Sequence, residues 1–367
     1  GVQDSERADA PQRAERGDRD RAPRRLTVGG AEVYTLEEAA EAGGIGELAY
    51  DQHGCRFLQE QLEHAPHKSL LLILDPVLAE LPGIMTDAFG NYLCQKVVQY
   101  ASPAQQLRFV SAMAPFLADV SLNVHGTRAV QRLLECLRCE EAEQVVAAAL
   151  EPRVDELILD LNGNHVVQRC MATLGGGRSA FVVEAVERRF EAVGTHRHGC
   201  CVLQRCLDNA DGEDKERLVQ RVIDHTPTMI ADQYGNYVVQ YVLQMRDPEL
   251  AMRVVRSIRG SIADLACQKF SSNVVEKCLT AGDAACTAAV VEELLDPDRI
   301  GTLLHDPFGN YVIQRVLQVG TQDQLRLMAE RVVPHSASMR TTLYGKRIQA
   351  KLVKQFPQLA AGNERRR

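Results

Sequence analysis

The hexapeptide GNYVVQ at residues 235–240 is one copy of a phrase that returns along the chain. Close copies are GNYLCQ at residues 90–95, GNHVVQ at 163–168 and GNYVIQ at 309–314. Taking the residue after the first glycine as offset zero, eight copies start at residues 55, 91, 127, 164, 200, 236, 272 and 310, always 36 to 38 residues apart. So regular a period predicts tandem helical repeats stacked into an α-solenoid.

Apolar periodicity places the phrase on a helix. Offsets two, three, six and seven are apolar in nearly every copy, whereas offsets zero, one, four, five and eight are mostly polar. At about 100° per residue, the two sets occupy opposite sides of an α-helix. One face is therefore predicted to be core and the other to meet solvent or a ligand. The glycine before offset zero, replaced only by Ser271, predicts a tight turn into this helix.

Capping motifs predict an earlier helix in each repeat, so that each repeat is a helical hairpin. Ser102–Gln105 supplies a cap, a first-turn proline and a capping-box glutamine, and Asp247–Glu249 and Thr321–Gln324 are similar. Thr35–Glu38 starts a helix before the first full repeat and predicts an N-terminal cap. The array is predicted to span residues 31–356. Residues 1–30, rich in Arg and acids, and 357–367 are predicted to be disordered tails.

The composition of the 367 residues excludes several classes of protein. The longest apolar run, Leu70–Leu74, is far shorter than the roughly 20 residues of a membrane span, and no signal peptide is visible. The eleven cysteines are odd in number and irregularly spaced, which predicts reduced thiols in a cytoplasmic protein. The net charge of −7 taken alone argues against a nucleic-acid binder.

The polar face of the repeated helix is more uniform than a solvated surface requires. Offset four is Gln59, Gln95, Gln131, Gln168, Gln204, Gln240, Glu276 and Gln314. Offset zero, one turn earlier, is Cys55, Asn91, Thr127, Asn164, Cys200, Asn236, Ser272 and Asn310. Offset one, where most side chains are flat, is Arg56, Tyr92, Arg128, His165, Cys201, Tyr237, Asn273 and Tyr311.

Two polar groups one turn apart, beside a flat group, suit the recognition of one nucleotide base. The pair hydrogen-bonds a base edge, and the flat side chain stacks on base faces for about 1–3 kcal/mol per base. The alternative is an amide ladder that braces adjacent hairpins. The single Ser272/Glu276 copy favours base recognition, because guanine presents two donors to an acceptor-only carboxylate.

Charge on the same face supports this interpretation. At offsets zero, one, four and five there are eight basic residues and two acidic ones, Glu60 and Glu276. The basic residues are Arg56, Lys96, Arg128, Arg132, Arg169, Arg205, Lys277 and Arg315. A phosphate backbone responds to charge within a Debye length of about 8–10 Å, so the acidic remainder of the chain matters less than this local excess.

With these motifs the chain resembles the Pumilio/FBF (PUF) RNA-binding proteins, above all the Pumilio homology domain, over residues 33–356. DQHG at 51–54, NHVVQ at 164–168, SNVVEKC at 272–278 and YGK at 344–346 carry the resemblance. It implies an all-α, crescent-shaped, right-handed superhelical solenoid of eight repeats with capping half-repeats at both ends, and one base bound by each repeat. It implies no catalytic activity and no cofactor.

The resemblance also implies a code, with the eighth repeat at the 5′ base. Asn/Gln pairs imply U, Ser272/Glu276 implies G, and the Cys/Gln and Thr127/Gln131 pairs imply A, which gives 5′-UGUAUAUA-3′, a UGUANAUA element. Cys201 replaces the usual flat side chain, so we expect the fourth base to be held more loosely. Thr127 adds a methyl group, which predicts degeneracy at the sixth base. The ninth copy has Ala350 at offset four and is predicted to be the C-terminal cap.

Metal binding and catalysis are weaker interpretations of the cysteines. Cys136 and Cys139 form an isolated CxxC, and His196, His198, Cys200 and Cys201 lie within six residues. Cys200 and Cys201 already belong to the polar face, and no partnered acid stands near any thiol. Cys170, Cys206 and Cys278 share offset six, an apolar core position. No metal site is predicted.

Two classes of function follow. The resemblance implies a monomer that binds single-stranded mRNA 3′ untranslated regions in the cytoplasm, away from membranes. It further implies that repression or deadenylation proteins dock on the convex face or on the loop at residues 280–304. The other class is an armadillo-type solenoid that binds proteins. A nuclear relative acting in ribosome assembly is a variant of the first class, whose members usually depart from the eight-repeat code.

Overall fold

The computed structural model describes residues 26–356. The two predicted tails lie outside the described residues, except for positions 26–30. The chain divides into two compact units between Ala101 and Ser102. Among the helices of residues 26–356, none combines the length and the apolar character that crossing a bilayer requires.

A β-hairpin opens the first unit. Strands β1 (Leu26–Val28) and β2 (Ala31–Val33) are antiparallel, and they are joined by Gly29 and Gly30 at φ of +56° and +86°. The two-residue turn whose twist matches that of the flanking strands needs positive φ at both of its residues. Glycine adopts positive φ without a steric penalty, so Gly-Gly suits this turn.

The hairpin corrects the predicted extent of the N-terminal tail. Disorder was predicted to extend to residue 30, yet Leu26 and Val28 are buried, and Val28 lies directly against the backbone of Gly44. The Gly29 amide also donates to Glu47 Oε2 at 3.0 Å. Alternating apolar residues around a Gly-Gly pair were the signal for this hairpin, which adds two short strands to an otherwise helical chain.

The helices of the first unit include the first two repeats. In chain order they are α1 (Leu36–Glu41), α2 (Ile45–Tyr50), α3 (Gln52–His64), α4 (Pro66–Ala79), α5 (Leu81–Thr86) and α6 (Gly90–Tyr100). Offset zero of the first two repeats lies on α3 and α6, which pack against each other.

The second unit contains repeats three to eight and the ninth copy. Its helices are α7 (Pro103–Met113), α8 (Leu117–Leu122), α9 (Gly126–Cys136), α10 (Glu140–Leu150), α11 (Val154–Leu159), α12 (Gly163–Thr173), α13 (Ala180–Arg188), α14 (Phe190–Gly194), α15 (Gly199–Asn209), α16 (Gly212–Asp224), α17 (Thr226–Met229), α18 (Gly235–Gln244), α19 (Pro248–Ser257), α20 (Ile262–Ala266), α21 (Ser271–Ala281), α22 (Ala284–Leu294), α23 (Ile300–His305), α24 (Gly309–Val319), α25 (Gln322–Val332), α26 (Ser336–Met339) and α27 (Leu343–Gln355).

Each repeat of this unit has three helices rather than the predicted two. A long helix is followed by a short one, and then by the helix that carries the repeated phrase, here called the motif helix. Several long helices stop where a proline lies in the first turn of the next helical segment, as at Pro115, Pro152 and Pro227. Proline is tolerated in a first turn but cannot donate the backbone hydrogen bond that would continue the preceding helix.

The predicted caps are confirmed. Ser102 with Gln105, and Thr321 with Gln324, form capping boxes in which side chains and backbone amides bond reciprocally. Thr35–Glu38 forms the same box at the start of α1. Asp247 accepts from the two backbone amides at the start of α19.

The predicted core face is also confirmed. In α18, Val238, Val239, Val242 and Leu243 are buried, and Cys170, Cys206 and Cys278 at offset six are fully buried in their helices. In the second unit, successive motif helices pack on one another, from α9 on α12 to α24 on α27. Each fully buried Val or Leu stabilises this packing by roughly 1.5–3 kcal/mol.

The glycine before offset zero serves close packing rather than a special turn. Gly126 begins α9 with ordinary negative φ, and a Cβ on it would lie 2.3 Å from the Val120 carbonyl oxygen. Gly199 would bring its Cβ to 2.4 Å from the Val193 oxygen in the same way. Ser271, the exception, uses its hydroxyl to donate to the corresponding Leu265 oxygen at 2.6 Å.

Replacing Gly126 with alanine is therefore expected to destabilise the protein. Alanine normally favours a helix over glycine by about 1 kcal/mol. Here the added methyl must displace backbone, which we expect to cost about 1–3 kcal/mol. Urea unfolding followed by circular dichroism measures the change. Gly309→Ala is the matched control, because its Cβ would meet Leu303 atoms at 3.1 Å, and it should lose less. Equal or greater stability of Gly126→Ala would contradict this account.

Candidate nucleic-acid interface

In six of the eight repeats, an aspartate or asparagine side chain caps the start of the motif helix. Asp87 Oδ1 accepts from the backbone amides of Phe89 and Gly90, both at 2.8 Å. Asp51, Asn123, Asp160, Asp232 and Asp306 make the same pair of bonds in their repeats. Such a cap satisfies amides that the helix itself leaves free. The sequence signal was this residue type three positions before the glycine in six of eight repeats.

The fifth repeat has a weaker version of this cap. His196 Nδ1 takes the place of the carboxylate and accepts from the amides of His198 and Gly199 at 3.2 and 3.4 Å. The clustering of histidines near Cys200 is thus explained in part by helix capping. Within residues 26–356, no three His, Cys, Asp or Glu side chains are placed to hold a metal ion.

The eight offset-zero side chains are buried, with exposures between 1% and 7%. The prediction that they lie on the outer polar face is therefore wrong in this respect. The asparagines fold back onto the preceding loop: Asn91 Nδ2 donates to the carbonyls of Asp87 and Ala88 at 2.8 and 3.1 Å. Asn164 and Asn310 repeat this pair of bonds at 2.8 to 3.0 Å, and Asn236 makes the first of them.

The eight offset-four side chains are half-buried, directly beside offset zero. Gln168 Nε2 donates to Asn164 Oδ1 at 2.9 Å, and the same bond joins Gln95, Gln240 and Gln314 to their asparagines at 2.9 to 3.1 Å. Gln131 donates to Thr127 Oγ1 at 3.1 Å, and Gln59 to Cys55 Sγ at 3.3 Å. These six glutamines thus have a set orientation, with the Oε1 atom and one N–H directed away from this bond.

The eight offset-one side chains are exposed. Tyr92, Tyr237 and Tyr311 show 45%, 49% and 61% of their surface to solvent, although large aromatic side chains usually bury more. Each repeat therefore presents the same three levels: a buried polar group, a half-buried amide or carboxylate, and an exposed and usually flat side chain.

The hydrogen bonds of the glutamines argue against most of the alternative in which an amide ladder braces adjacent repeats. The Asn–Gln bonds run within one helix, so they do not tie neighbouring repeats together. Two other offset-zero groups do reach the next repeat: Cys55 Sγ donates to the Phe89 carbonyl at 3.1 Å, and Thr127 Oγ1 to the Asn162 carbonyl at 3.0 Å. Bracing is thus real at these two positions, whereas the glutamine ladder remains available to a ligand.

Several basic residues at offset five form salt bridges with carboxylates. Lys96 pairs with Glu63 at 2.5 Å, Arg169 with Glu135 at 3.3 Å and Arg205 with Asp208 at 2.9 Å. All three acids stand at offset eight. Exposed pairs of this kind contribute little to stability, but they hold the cations along one edge of the motif helices.

All eleven cysteines are free thiols. Burial raises the pKa of Cys170 and of Cys206 to about 12 each, as expected for inert core thiols. The adjacent Cys200 thiol and, to a smaller extent, the Arg205 guanidinium lower the pKa of the exposed Cys201 thiol below its ordinary value.

Comparison with known proteins agrees with this geometry. The family model described as Pumilio-family RNA binding repeat matches eight times, at residues 44–77, 82–113, 117–148, 153–185, 189–223, 225–258, 261–295 and 299–333. A Pumilio domain-containing protein of Schizosaccharomyces pombe is 39% identical over 84% of this chain and 45% of its own length. Pumilio homolog 12 of Arabidopsis thaliana is 37% identical over 84% and 52%. The chain thus spans about half the length of these curated relatives.

Solved structures of similar fold are RNA complexes. The Puf4 RNA binding domain bound to the HO endonuclease RNA 3′ UTR recognition sequence has 36% identity and a TM-score of 0.79, covering 84% of this chain and 98% of that one. The RNA-binding domain of yeast Puf5p bound to SMX2 RNA has 28% identity and a TM-score of 0.74, covering 86% and 97%. The predicted class, a solenoid of eight PUF repeats, is confirmed. The chain belongs to the Pumilio family, and as an array of RNA-binding repeats it is a binding protein rather than an enzyme.

Proposed function

We propose that this chain is a sequence-specific single-stranded RNA-binding protein in which each of the eight repeats binds one base. One observation carries the proposal: the same three-level arrangement of buried, half-buried and exposed side chains recurs in every motif helix. A surface whose repeats shared no binding role would not have a half-buried amide or carboxylate at the same position in all eight.

The chemistry of one repeat suits a base edge. In six repeats the offset-four glutamine donates one N–H to its offset-zero neighbour, so the second N–H remains for a ligand. Oε1 also remains in five of them, whereas Oε1 of Gln314 accepts from Lys351 Nζ at 3.4 Å. One acceptor beside one donor complements uracil, which offers N3–H next to a carbonyl oxygen. It equally complements adenine, which offers N1 next to an amino group. The buried offset-zero group selects between them through the orientation it gives the glutamine and the space it leaves under the base.

The exposed offset-one side chains serve as stacking surfaces. The tyrosines at 92, 237 and 311, His165, and the guanidinium planes of Arg56 and Arg128 can each lie against a base face. Base stacking on such groups contributes about 1–3 kcal/mol per base and does not depend on base identity. Affinity is thus shared by the stacking surfaces, while selectivity belongs to the paired offsets zero and four.

When the code that the resemblance implies is applied to each repeat in turn, the preferred RNA is 5′-UGUAUAUA-3′. Asn310/Gln314 then binds the first base and Cys55/Gln59 the last. The solved relatives that support a messenger RNA target are named as complexes with 3′ UTR recognition sequences. We propose that this chain acts likewise on 3′ untranslated regions in the cytoplasm. As a monomer, it would recruit repression or deadenylation proteins through surfaces away from the motif helices.

The Ser272→Asn, Glu276→Gln double variant tests the assignment of bases. We expect its preference at the second RNA base to change from G to U, because the new pair matches that of the sixth and eighth repeats. The change should amount to about 1–3 kcal/mol, roughly tenfold to hundredfold in relative Kd. Titrations of UGUAUAUA and UUUAUAUA measure it, and RNAs altered at the third base serve as the control. An unaltered preference for G would refute the assignment.

The stacking role is tested at the fifth repeat. Cys201→Tyr should tighten binding of UGUAUAUA, because a ring replaces a thiol at the exposed offset-one position, with a gain of up to about 1–3 kcal/mol. Tyr237→Cys in the neighbouring repeat is the matched reverse change and should weaken binding. Both effects should be the same for RNAs that differ in the facing base. If neither variant alters Kd, stacking at offset one contributes nothing.

A further inference from the structure

The carboxylate of Glu276 is held differently from the glutamines of the same ladder. Six of those glutamines are oriented by a hydrogen bond donated from Nε2 to the offset-zero side chain of their own helix. An ionised carboxylate has no hydrogen to donate, so Glu276 cannot be oriented this way. Its offset-zero neighbour Ser272 directs its hydroxyl to the Lys269 carbonyl at 3.4 Å instead.

Arg315 of the eighth repeat holds Glu276. Its Nε and Nη2 atoms both donate to Glu276 Oε1, at 2.9 and 2.5 Å, and both side chains are about one-third exposed. Arg315 Nη1 also donates to Gln318 Oε1 at 2.7 Å, so the guanidinium is anchored on two sides. Within residues 26–356, Glu276 Oε2 accepts no hydrogen bond, whereas Oε1 accepts two.

The local sequence explains why Arg315 makes this contact. Four other cations at offset five pair with an acid at offset eight, as Arg169 does with Glu135 of the preceding repeat. The offset-eight residue of the seventh repeat is Thr280, which offers no charge. Arg315 therefore extends to the next acid along the helix face, which stands at offset four.

We propose that Arg315 is a positioning residue that gives the seventh repeat its selectivity for guanine; this inference rests on the proposed function. Guanine presents two donors, N1–H and the N2 amino group, and the free Oε2 atom of a fixed carboxylate can accept from them. A carboxylate close to RNA phosphates is repelled by them. The paired guanidinium offsets that repulsion and restricts the carboxylate to one orientation, much as the asparagines do for the glutamines.

Arg315→Gln tests the proposal against a matched loss of charge. Arg169→Gln removes the same cation at offset five of the fourth repeat, where its partner Glu135 is not a base-recognition residue. Kd is measured for UGUAUAUA, UAUAUAUA and UUUAUAUA with each protein. Arg169→Gln should weaken all three RNAs alike. Arg315→Gln should in addition lower the preference for G by about tenfold, the effect of losing a hydrogen bond to a charged group. Arg315→Lys should restore part of that preference.

A second variant keeps both partners in place. Thr280→Glu offers Arg315 an acid at offset eight, the pairing seen in other repeats, and should also reduce the preference for G while thermal stability is maintained. If Arg315→Gln and Thr280→Glu leave the G preference intact, the positioning role is overturned although the proposed function stands. If the unaltered protein itself does not distinguish UGUAUAUA from the other two RNAs, the proposed function fails, and with it this inference.

Discussion

The close contact between the start of each motif helix and the end of the short helix before it determines the rest of the structure. At Gly126 the two backbones are so near that a single methyl group would overlap a carbonyl oxygen. Asn123 caps the same helix start by accepting two backbone amides. Together these contacts fix the rotation and the starting residue of the helix. Offsets zero, one and four consequently occupy equivalent positions in every repeat, which a surface that binds regularly spaced bases requires.

Periodicity was sufficient to predict much of this architecture. The 36- to 38-residue spacing gave the number of repeats, and the apolar offsets gave the buried face of each motif helix. Two features were not visible in it. The short helix in each repeat is only four to six residues long, which is too brief to show a hydrophobic period. The hairpin at Leu26–Val33 was assigned partly to a tail because the neighbouring sequence is charged, although three buried apolar side chains fold it onto the first unit.

For the candidate site, sequence predicted which positions act together but not how deep each one lies. Helical geometry places offsets zero, one and four on one side, and the structure agrees. Burial depends on what covers that side, and the loop before the helix covers offset zero. The contact between Arg315 and Glu276 was equally hidden, because it depends on a side chain from the next repeat and on the missing acid at Thr280. Pair contacts across repeats follow from three-dimensional packing and not from a period.

The burial of offset zero limits how such a repeat can change its target. Asn91, Asn164 and Asn310 satisfy two backbone carbonyls each, and they also accept from their glutamine. A serine, threonine or cysteine has only one hydrogen to offer, so a new base preference also alters the hydrogen bonding of the preceding loop. Unmet buried polar groups cost about 1–3 kcal/mol each. Folding stability thus limits which bases a repeat can come to recognise. A substitution that changes the RNA preference of a repeat also changes the stability of the helix that carries it.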